Sequence, residues 1–292
     1  MIIWLASYPK SGNTWLRTII GQILNNNFDK QKVFETSKII RLYPSKSDFV
    51  NLDDDFKHVI FPEEKKKIIF NKTAMNWQVS QNKINLNGKT NIFKTHNMLC
   101  KLNIDNKFYS FTNLENTTGV IHIVRDPRNV ISSLINHFSF ENEVSALEFM
   151  INENQTLGLK ENEIPQFLSS WKNHFNSWKK FPKNNLLIKY ENLIKDPSIE
   201  VKKLINYLKK FYKISISEDY IDKIILNSSF DNLKNLEKKG LFNENALNKK
   251  TGEVKNFFNL GADNNWSKML KDSTVNQIEK NFNEEMKELN YI

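Results

Sequence analysis

Residues 2–20 read IIWLASYPKSGNTWLRTII, and the link in their middle decides how the chain is read. Ile2–Ala6 is an apolar, β-branched run of the kind that forms a buried parallel strand, and Thr14–Leu24 is amphipathic at helical spacing. Between them a short turn opens a helix N-terminus, where unpaired N–H groups and the helix dipole stabilise an anion. Ser11 and Gly12 let the backbone turn tightly. Asn13 and Thr14 offer N–H and hydroxyl donors to phosphate oxygens, and Lys10 offers a point charge. The lysine precedes the glycine and a second glycine is absent, so this is not the Walker pattern. The same residues also suit an ordinary strand–helix turn with a solvated lysine, and taken alone they slightly favour that reading.

The composition limits which anion to expect. With 292 residues, 39% hydrophobic and 12% aromatic, the chain can bury a substantial core. Its formal charge of +9 suits an acidic partner: nucleic acid, an anionic membrane or a phosphorylated small molecule. The lysines are scattered, with Lys65-Lys66-Lys67 the one run of three, which reads as a solvated face. There is no Arg-rich arm, zinc spacing or RNA-binding aromatic signature, so nucleic acid is disfavoured as a partner. The single cysteine, Cys100, excludes an internal disulfide and fits a reducing compartment. No leader pattern follows Met1, and no apolar run reaches the roughly 20 residues of a membrane span. The expectation is a soluble cytoplasmic protein without a transmembrane segment.

Three further segments, Asn91–Thr95, Gly119–Val124 and Asn185–Lys189, share the strand character of Ile2–Ala6. Helical patterns occupy Asn129–Phe138, Pro165–Lys180 and Ile199–Phe211. In Pro165–Lys180, Phe167, Trp171, Phe175 and Trp178 fall on one face. A last helix after Ser273 carries Val275, Ile278, Phe282, Met286 and Leu289 as a stripe. This alternation predicts an α/β fold: one domain over residues 1–292 with a central parallel sheet flanked by helices, similar to the P-loop kinases. Polar stretches near 35–89 and 141–163 read as insertions, and Asn243–Lys255 as a polar loop.

Open α/β sheets bind ligands at the carboxyl ends of their strands. Here those ends carry the loop Tyr8–Trp15, then Lys94-Thr95-His96, then Arg125-Asp126-Pro127-Arg128, then Tyr190-Glu191. Asp126 can cap a helix whose first position suits Pro127. Ser133 lies eight residues beyond Arg125, about two turns into that helix. An arginine and a hydroxyl so placed can hold a second phosphate. Each alone fits better as a surface ion pair or a helix serine. His122 reads as a core histidine inside a strand, and His58, His137 and His174 carry no signal of chemistry.

Together these segments resemble the sulfotransferases that use 3′-phosphoadenosine-5′-phosphosulfate. Tyr8–Trp15 looks like their 5′-phosphosulfate loop, and RDPRNVISS (Arg125–Ser133) like their 3′-phosphate motif. Lys94-Thr95-His96 is similar to the strand end that carries the family's catalytic histidine. LIKYENLIKDP (Leu187–Pro197) matches the segment whose tyrosine lies by the adenine, and Ser228-Ser229-Phe230 resembles another adenine-contacting stretch. Order and spacing hold from Ile2 to about Trp266.

The resemblance implies sulfuryl transfer from that donor to a hydroxyl of a small molecule, lipid or glycan, without a metal. His96 would be the base, since neutral imidazole is tuned for proton transfer near pH 7. Lys10 would stabilise charge on the leaving bridging oxygen, and Ser11, Gly12, Asn13 and Thr14 would hold the 5′-phosphate. Arg125 and Ser133 would hold the 3′-phosphate. Trp15, Tyr190 and Phe230 would bracket the adenine, with Ser228 and Gly261 in the same donor site. By residue type, Trp15 and Phe230 also read as core aromatics and His96 as a structural histidine. One departure stands out: the family usually carries Arg-Lys-Gly shortly before a tryptophan, where this chain has Asn259, Leu260 and Gly261 ahead of Trp266. Lys255 or the pair Lys249-Lys250 are the cations close enough in sequence to compensate. A kinase, or a nucleotide-binding protein with little catalytic power, remains an alternative on the residues. The acceptor and the oligomeric state leave no legible pattern.

Overall fold

The structure, a computed structural model, describes residues 1–49, 62–158, 164–244, 246–247 and 254–292. Along the chain run β1 (Ile2–Ser7), α1 (Asn13–Asn25), α2 (Val33–Ser37), β2 (Arg41–Leu42), α3 (Pro62–Asn85), β3 (Asn91–Thr95), β4 (Lys101–Ile104), β5 (Lys107–Ser110) and β6 (Thr117–Val124). Next come α4 (Pro127–Phe138), α5 (Glu143–Ile151), β7 (Thr156–Leu157), β8 (Gln166–Phe167), α6 (Trp171–Lys179), β9 (Asn185–Lys189), α7 (Tyr190–Lys195) and α8 (Pro197–Leu208). The chain closes with α9 (Glu218–Asn227), α10 (Phe230–Lys238), β10 (Ala246–Leu247), β11 (Val254–Lys255), α11 (Trp266–Met269), α12 (Asp272–Asn281) and α13 (Asn283–Glu288). The principal sheet has the order β2-β3-β1-β6-β9. β3 runs parallel to β1, with Ile2 opposite Asn91, and parallel to β2. All four strands expected from the sequence are present in it.

Contacts divide the chain into two compact units. The first comprises Met1–Tyr8, Arg41–His122 and Asn152–Leu187, and the second Pro9–Ile40, Ile123–Ile151 and Ile188–Ile292. In the first unit every residue of β1 is buried, as a strand covered on both faces requires. Its core gathers Trp4, Tyr43, Trp77, Phe93, Phe111 and Trp178. Trp4 satisfies its indole N–H on Thr117 Oγ1 at 2.8 Å. Part of the polar stretch 35–89 thus supplies core: α3 buries Ala74 and Trp77 completely or nearly so, and the Tyr43 hydroxyl donates to the Trp77 carbonyl at 3.0 Å.

Two helices differ from expectation. α6 starts at Trp171 rather than Pro165, because Ser170 caps it by accepting from the Asn173 N–H at 3.2 Å. Gln166 and Phe167 instead pair with β7 as β8, so Phe167 leaves the aromatic face. The C-terminal stripe is buried at Ile278, Phe282, Met286 and Leu289 but spans two helices. They break at Phe282, whose φ of −122° and ψ of 23° lie outside the helical region.

The second unit holds the loop after β1 and α4. Asp126 caps α4 through its Oδ1, which accepts from the Arg128 N–H at 2.9 Å, and Pro127 takes the first helical position. An apolar cluster of Val33, Phe34, Leu233, Leu236, Phe242 and Phe258 receives Trp15, Phe230 and Phe257 as partly buried neighbours. Among the described residues no helix is long and apolar enough to cross a membrane, and no group of side chains has the makings of a metal site.

Candidate active site

The loop between β1 and α1 adopts a backbone that few residues tolerate. Lys10 has φ of 66° and Gly12, the residue capping α1, has φ of 99°. A Cβ on Gly12 would lie 2.6 Å from Tyr190 Cδ2 and 3.2 Å from Ile123 Cδ1. Conformation and close approach therefore both demand glycine there. Ser11 is fully buried, and its hydroxyl has no hydrogen-bond partner among the described residues. Arg125 is likewise buried; one terminal N–H donates to the Lys10 carbonyl at 3.1 Å, while its Nε has no such partner. Unmet buried donors cost about 1–3 kcal/mol each, so a cradle built with them fits an oxygen-rich anion.

Lys10 completes that cradle. Its ammonium sits 3.7 Å from the centroid of the Phe257 ring. Burial, aided by the Arg125 charge, pulls its pKa down to about 7, against the opposing pull of Glu237 and Glu244. Asn13 and Thr14 are buried in the first turn of α1. Thr14 Oγ1 accepts from Arg17 at 3.2 Å, an arginine that the sequence reading did not single out. Its spacing of one helical turn from Thr14 was the available signal.

The aromatic residues come together in the same unit. Tyr190 meets the Trp15 ring edge-on at 5.4 Å and carries the Arg125 guanidinium 4.1 Å from its centroid. Gly261, at φ of 56°, abuts Phe230; a Cβ there would lie 2.7 Å from the ring. Trp15 and Phe230 are only half-buried at the rim of the apolar cluster, which leaves ring surface for a base. Ser228 is less available. It is buried and accepts from Gln22 Nε2 at 2.8 Å, inside a network that also ties Asn227 to Gln22.

Ser133 lies half-buried on α4. Its neighbours on that helix anchor the segment that departs from the family pattern. Ser132 donates to Asn264 Oδ1 at 2.9 Å, Asn264 donates to the Asn129 carbonyl at 2.9 Å, and the Trp266 N–H donates to Asn129 Oδ1 at 3.0 Å. The loop bearing Asn259, Leu260 and Gly261 is thus docked on α4 without the two cations. Lys255 is engaged elsewhere, donating to the Asn136 carbonyl at 2.7 Å and to Ser139 at 3.0 Å. Lys249 and Lys250 lie outside the described residues, as does His58. Arg128 is structural: it pairs with Asp126 and Glu279 and stacks on Trp266 at 4.0 Å.

His96 belongs to the first unit, one residue past β3. Its Nδ1 lies 2.7 Å from the Ser7 carbonyl oxygen. A carbonyl only accepts, so Nδ1 carries the proton and the neutral ring keeps its lone pair on Nε2. The backbone is clamped too. The His96 N–H donates to Gln166 Oε1 at 2.9 Å, the Phe167 N–H donates to Asn97 Oδ1 at 2.8 Å, and the Trp178 indole donates to the Asn97 carbonyl at 2.8 Å. Gln166 and Asn97 therefore position the histidine across 70 residues of sequence, which no local pattern announces. His122 and His174 are buried beneath. Burial holds the His122 pKa down at about 3, and burial with the charges of His122 and His96 holds His174 well below its usual value. His122 Nδ1 has no hydrogen-bond partner among the described residues. His137 packs edge-on against Phe138 and Phe257.

A model of the sulfotransferase domain matches residues 2–290. The chain belongs to the sulfotransferase family. It is 26% identical over 240 residues to sulfotransferase 1B1 of Canis lupus familiaris, covering 80% of this chain and 66% of that one. It is 26% identical over 293 residues to flavonol 4′-sulfotransferase of Flaveria chlorifolia, covering 97% and 78%. The chain thus spans just under two thirds of the dog sulfotransferase's length. Among solved structures, a mouse sulfotransferase complexed with PAP superposes with a TM-score of 0.57 at 20% identity, over 97% of this chain and 83% of that one. The fold is accordingly the sulfotransferase fold, a central parallel sheet flanked by helices.

Proposed function

We propose that the chain transfers a sulfuryl group from 3′-phosphoadenosine-5′-phosphosulfate to a hydroxyl of a small molecule, lipid or glycan. The observation that carries this reading is the cradle of the second unit. There the buried Ser11 hydroxyl and Arg125 Nε have no partners among the described residues, beside Lys10 and a helix start that only glycine opens. The donor would supply an activated sulfuryl group: the acceptor oxygen bonds to sulfur as the bond from sulfur to the bridging oxygen breaks, and the 5′-phosphate leaves with that electron pair on its oxygen. Ser11, Gly12, Asn13 and Thr14 hold that phosphate with backbone N–H groups and hydroxyls. Lys10, when protonated, offsets negative charge on the bridging oxygen. Arg125 and Ser133 hold the 3′-phosphate, and Trp15, Tyr190 and Phe230 bracket the adenine against Gly261. His96 takes the acceptor proton on Nε2. Positioning and charge stabilisation supply most of the rate in such displacements. The reading includes a cytoplasmic location, which suits the single cysteine.

A second reading, a nucleotide-binding protein with little catalytic power, is favoured by one observation. Asn259 and Leu260 replace a cationic pair while Lys255 is spent on the end of α4. Transfer of labelled sulfuryl groups to a panel of hydroxyl acceptors separates the two. Transfer that falls by about 10²–10⁴-fold in His96→Ala supports the enzyme, as expected for loss of a general base. Donor binding without transfer, or transfer indifferent to His96, supports the binding protein.

A further inference from the structure

Arg17 sits one turn after Thr14 in α1, and helical side chains point back toward the N-terminus. Its guanidinium reaches the phosphate loop in that way. The side chain is 5% exposed, donates to Thr14 Oγ1 at 3.2 Å and pairs with Glu244 at 2.6 Å. Its Nε is buried with no hydrogen-bond partner among the described residues. A guanidinium so far out of water requires an anion beside it.

The anion now beside it is easy to replace. Glu244 lies on an exposed stretch, its side chain 39% exposed, and its carboxylate also stands 3.5 Å from the Thr14 hydroxyl. Glu237, the other carboxylate acting on Lys10, is buried and accepts the backbone N–H groups of Phe257 and Phe258 at 2.6 and 3.0 Å. Glu237 therefore builds the site, whereas the part-exposed Glu244 can be solvated once another anion takes its place beside Arg17. Its oxygen has Arg17 on one side and Thr14 on the other. A phosphate or sulfate oxygen at the start of α1 needs the same two donors.

We propose that Arg17 is a ligand of the donor's 5′-phosphosulfate group, and that Glu244 stands in for that anion until the donor arrives. The proposal rests on the donor reading given above. Arg17 joins Lys10 and Arg125 as a third cation of the cradle, in a chain that lacks cations at Asn259 and Leu260. Binding is an exchange of one ion pair for another, so affinity reflects the difference between them.

The test is calorimetric titration of the full chain with adenosine 3′,5′-bisphosphate. Glu244→Gln removes the competing charge at an exposed position and is expected to tighten binding about tenfold. Arg17→Met is expected to weaken it about tenfold or more, since charge-assisted contacts are the strong ones. Glu244→Gln added to Arg17→Met is expected to tighten binding far less than it does in wild type, since only its effect on Lys10 remains. If Arg17→Met does not fold, Arg17→Lys keeps the charge, loses the fork geometry and binds more weakly than wild type. Wild-type binding that Glu244→Gln leaves unchanged or weakens overturns this proposal alone, as does tightening that is undiminished once Arg17 is lost. Absence of binding in both wild type and Glu244→Gln contradicts the donor reading, and this proposal with it.

Discussion

His96 Nδ1 lies 2.7 Å from the carbonyl oxygen of Ser7, and that contact decides which ring nitrogen is basic. Ser7 ends β1 and His96 follows β3, its register partner in the sheet, so two paired strands set the tautomer. Gln166 then fixes the histidine from the backbone side.

Replacing His96 by Asn removes the proposed base and leaves the proposed donor cradle of the second unit intact. Sulfuryl transfer is expected to fall by about 10²–10⁴-fold, with bisphosphate affinity unchanged. Gln166→Ala loosens the support rather than the base. It is expected to lower kcat by roughly 10-fold, the scale typical of supporting groups, without altering KM for the donor. Steady-state kinetics paired with calorimetry reads both.

If Lys10 binds the donor as proposed, donor binding depends on pH. Below about pH 7 the amine is charged and attracts phosphate; above it the free protein loses that charge. Affinity for the bisphosphate is therefore expected to fall as pH rises from about 7, and binding at pH 8 to take up a proton. Calorimetry in buffers of different ionisation enthalpy counts that proton. Lys10→Arg, always charged, is expected to flatten the profile.

Gly12→Ala tests the turn. The new methyl meets Tyr190 at a backbone angle of 99° that alanine resists. A stability loss of about 1–3 kcal/mol is expected, together with loss of bisphosphate binding. Urea unfolding and titration of the same sample measure the pair.

Much of this site is written in short-range sequence. Gly12, the Asp126 cap and Pro127 at the first turn of α4 are local rules, and local rules survive folding. The strands were legible because each is a short apolar run. Less legible were features that depend on distant partners. The start of α6 yielded to Ser170 and to the pairing of β7 with β8, although the aromatic spacing pointed further upstream. Trp77 reaches the core on a helix whose Lys-rich exterior hides it in the sequence. The pairing of Arg17 with Glu244 spans 227 residues. Ser228 accepts from Gln22, 206 residues away, a partner that no local pattern announces.

Acid sensitivity follows from His122. The unfolded ring takes up a proton below its ordinary 6.5, while the buried ring resists until about pH 3. The unfolded chain thus binds more protons in that window, and stability is lost as pH falls through it, by roughly 1 kcal/mol per pH unit. His174, also held neutral by burial, adds to the slope. Urea midpoints at pH 7 and 5 are expected to differ less in His122→Leu than in wild type.

The most direct test of the donor site is calorimetric titration with adenosine 3′,5′-bisphosphate, adenosine 5′-monophosphate and ATP, for wild type and Arg125→Ala. Clear preference for the bisphosphate is expected in wild type and lost in the variant, as follows if Arg125 holds the 3′-phosphate. Equal binding of the three nucleotides, or preference that survives Arg125→Ala, would contradict it.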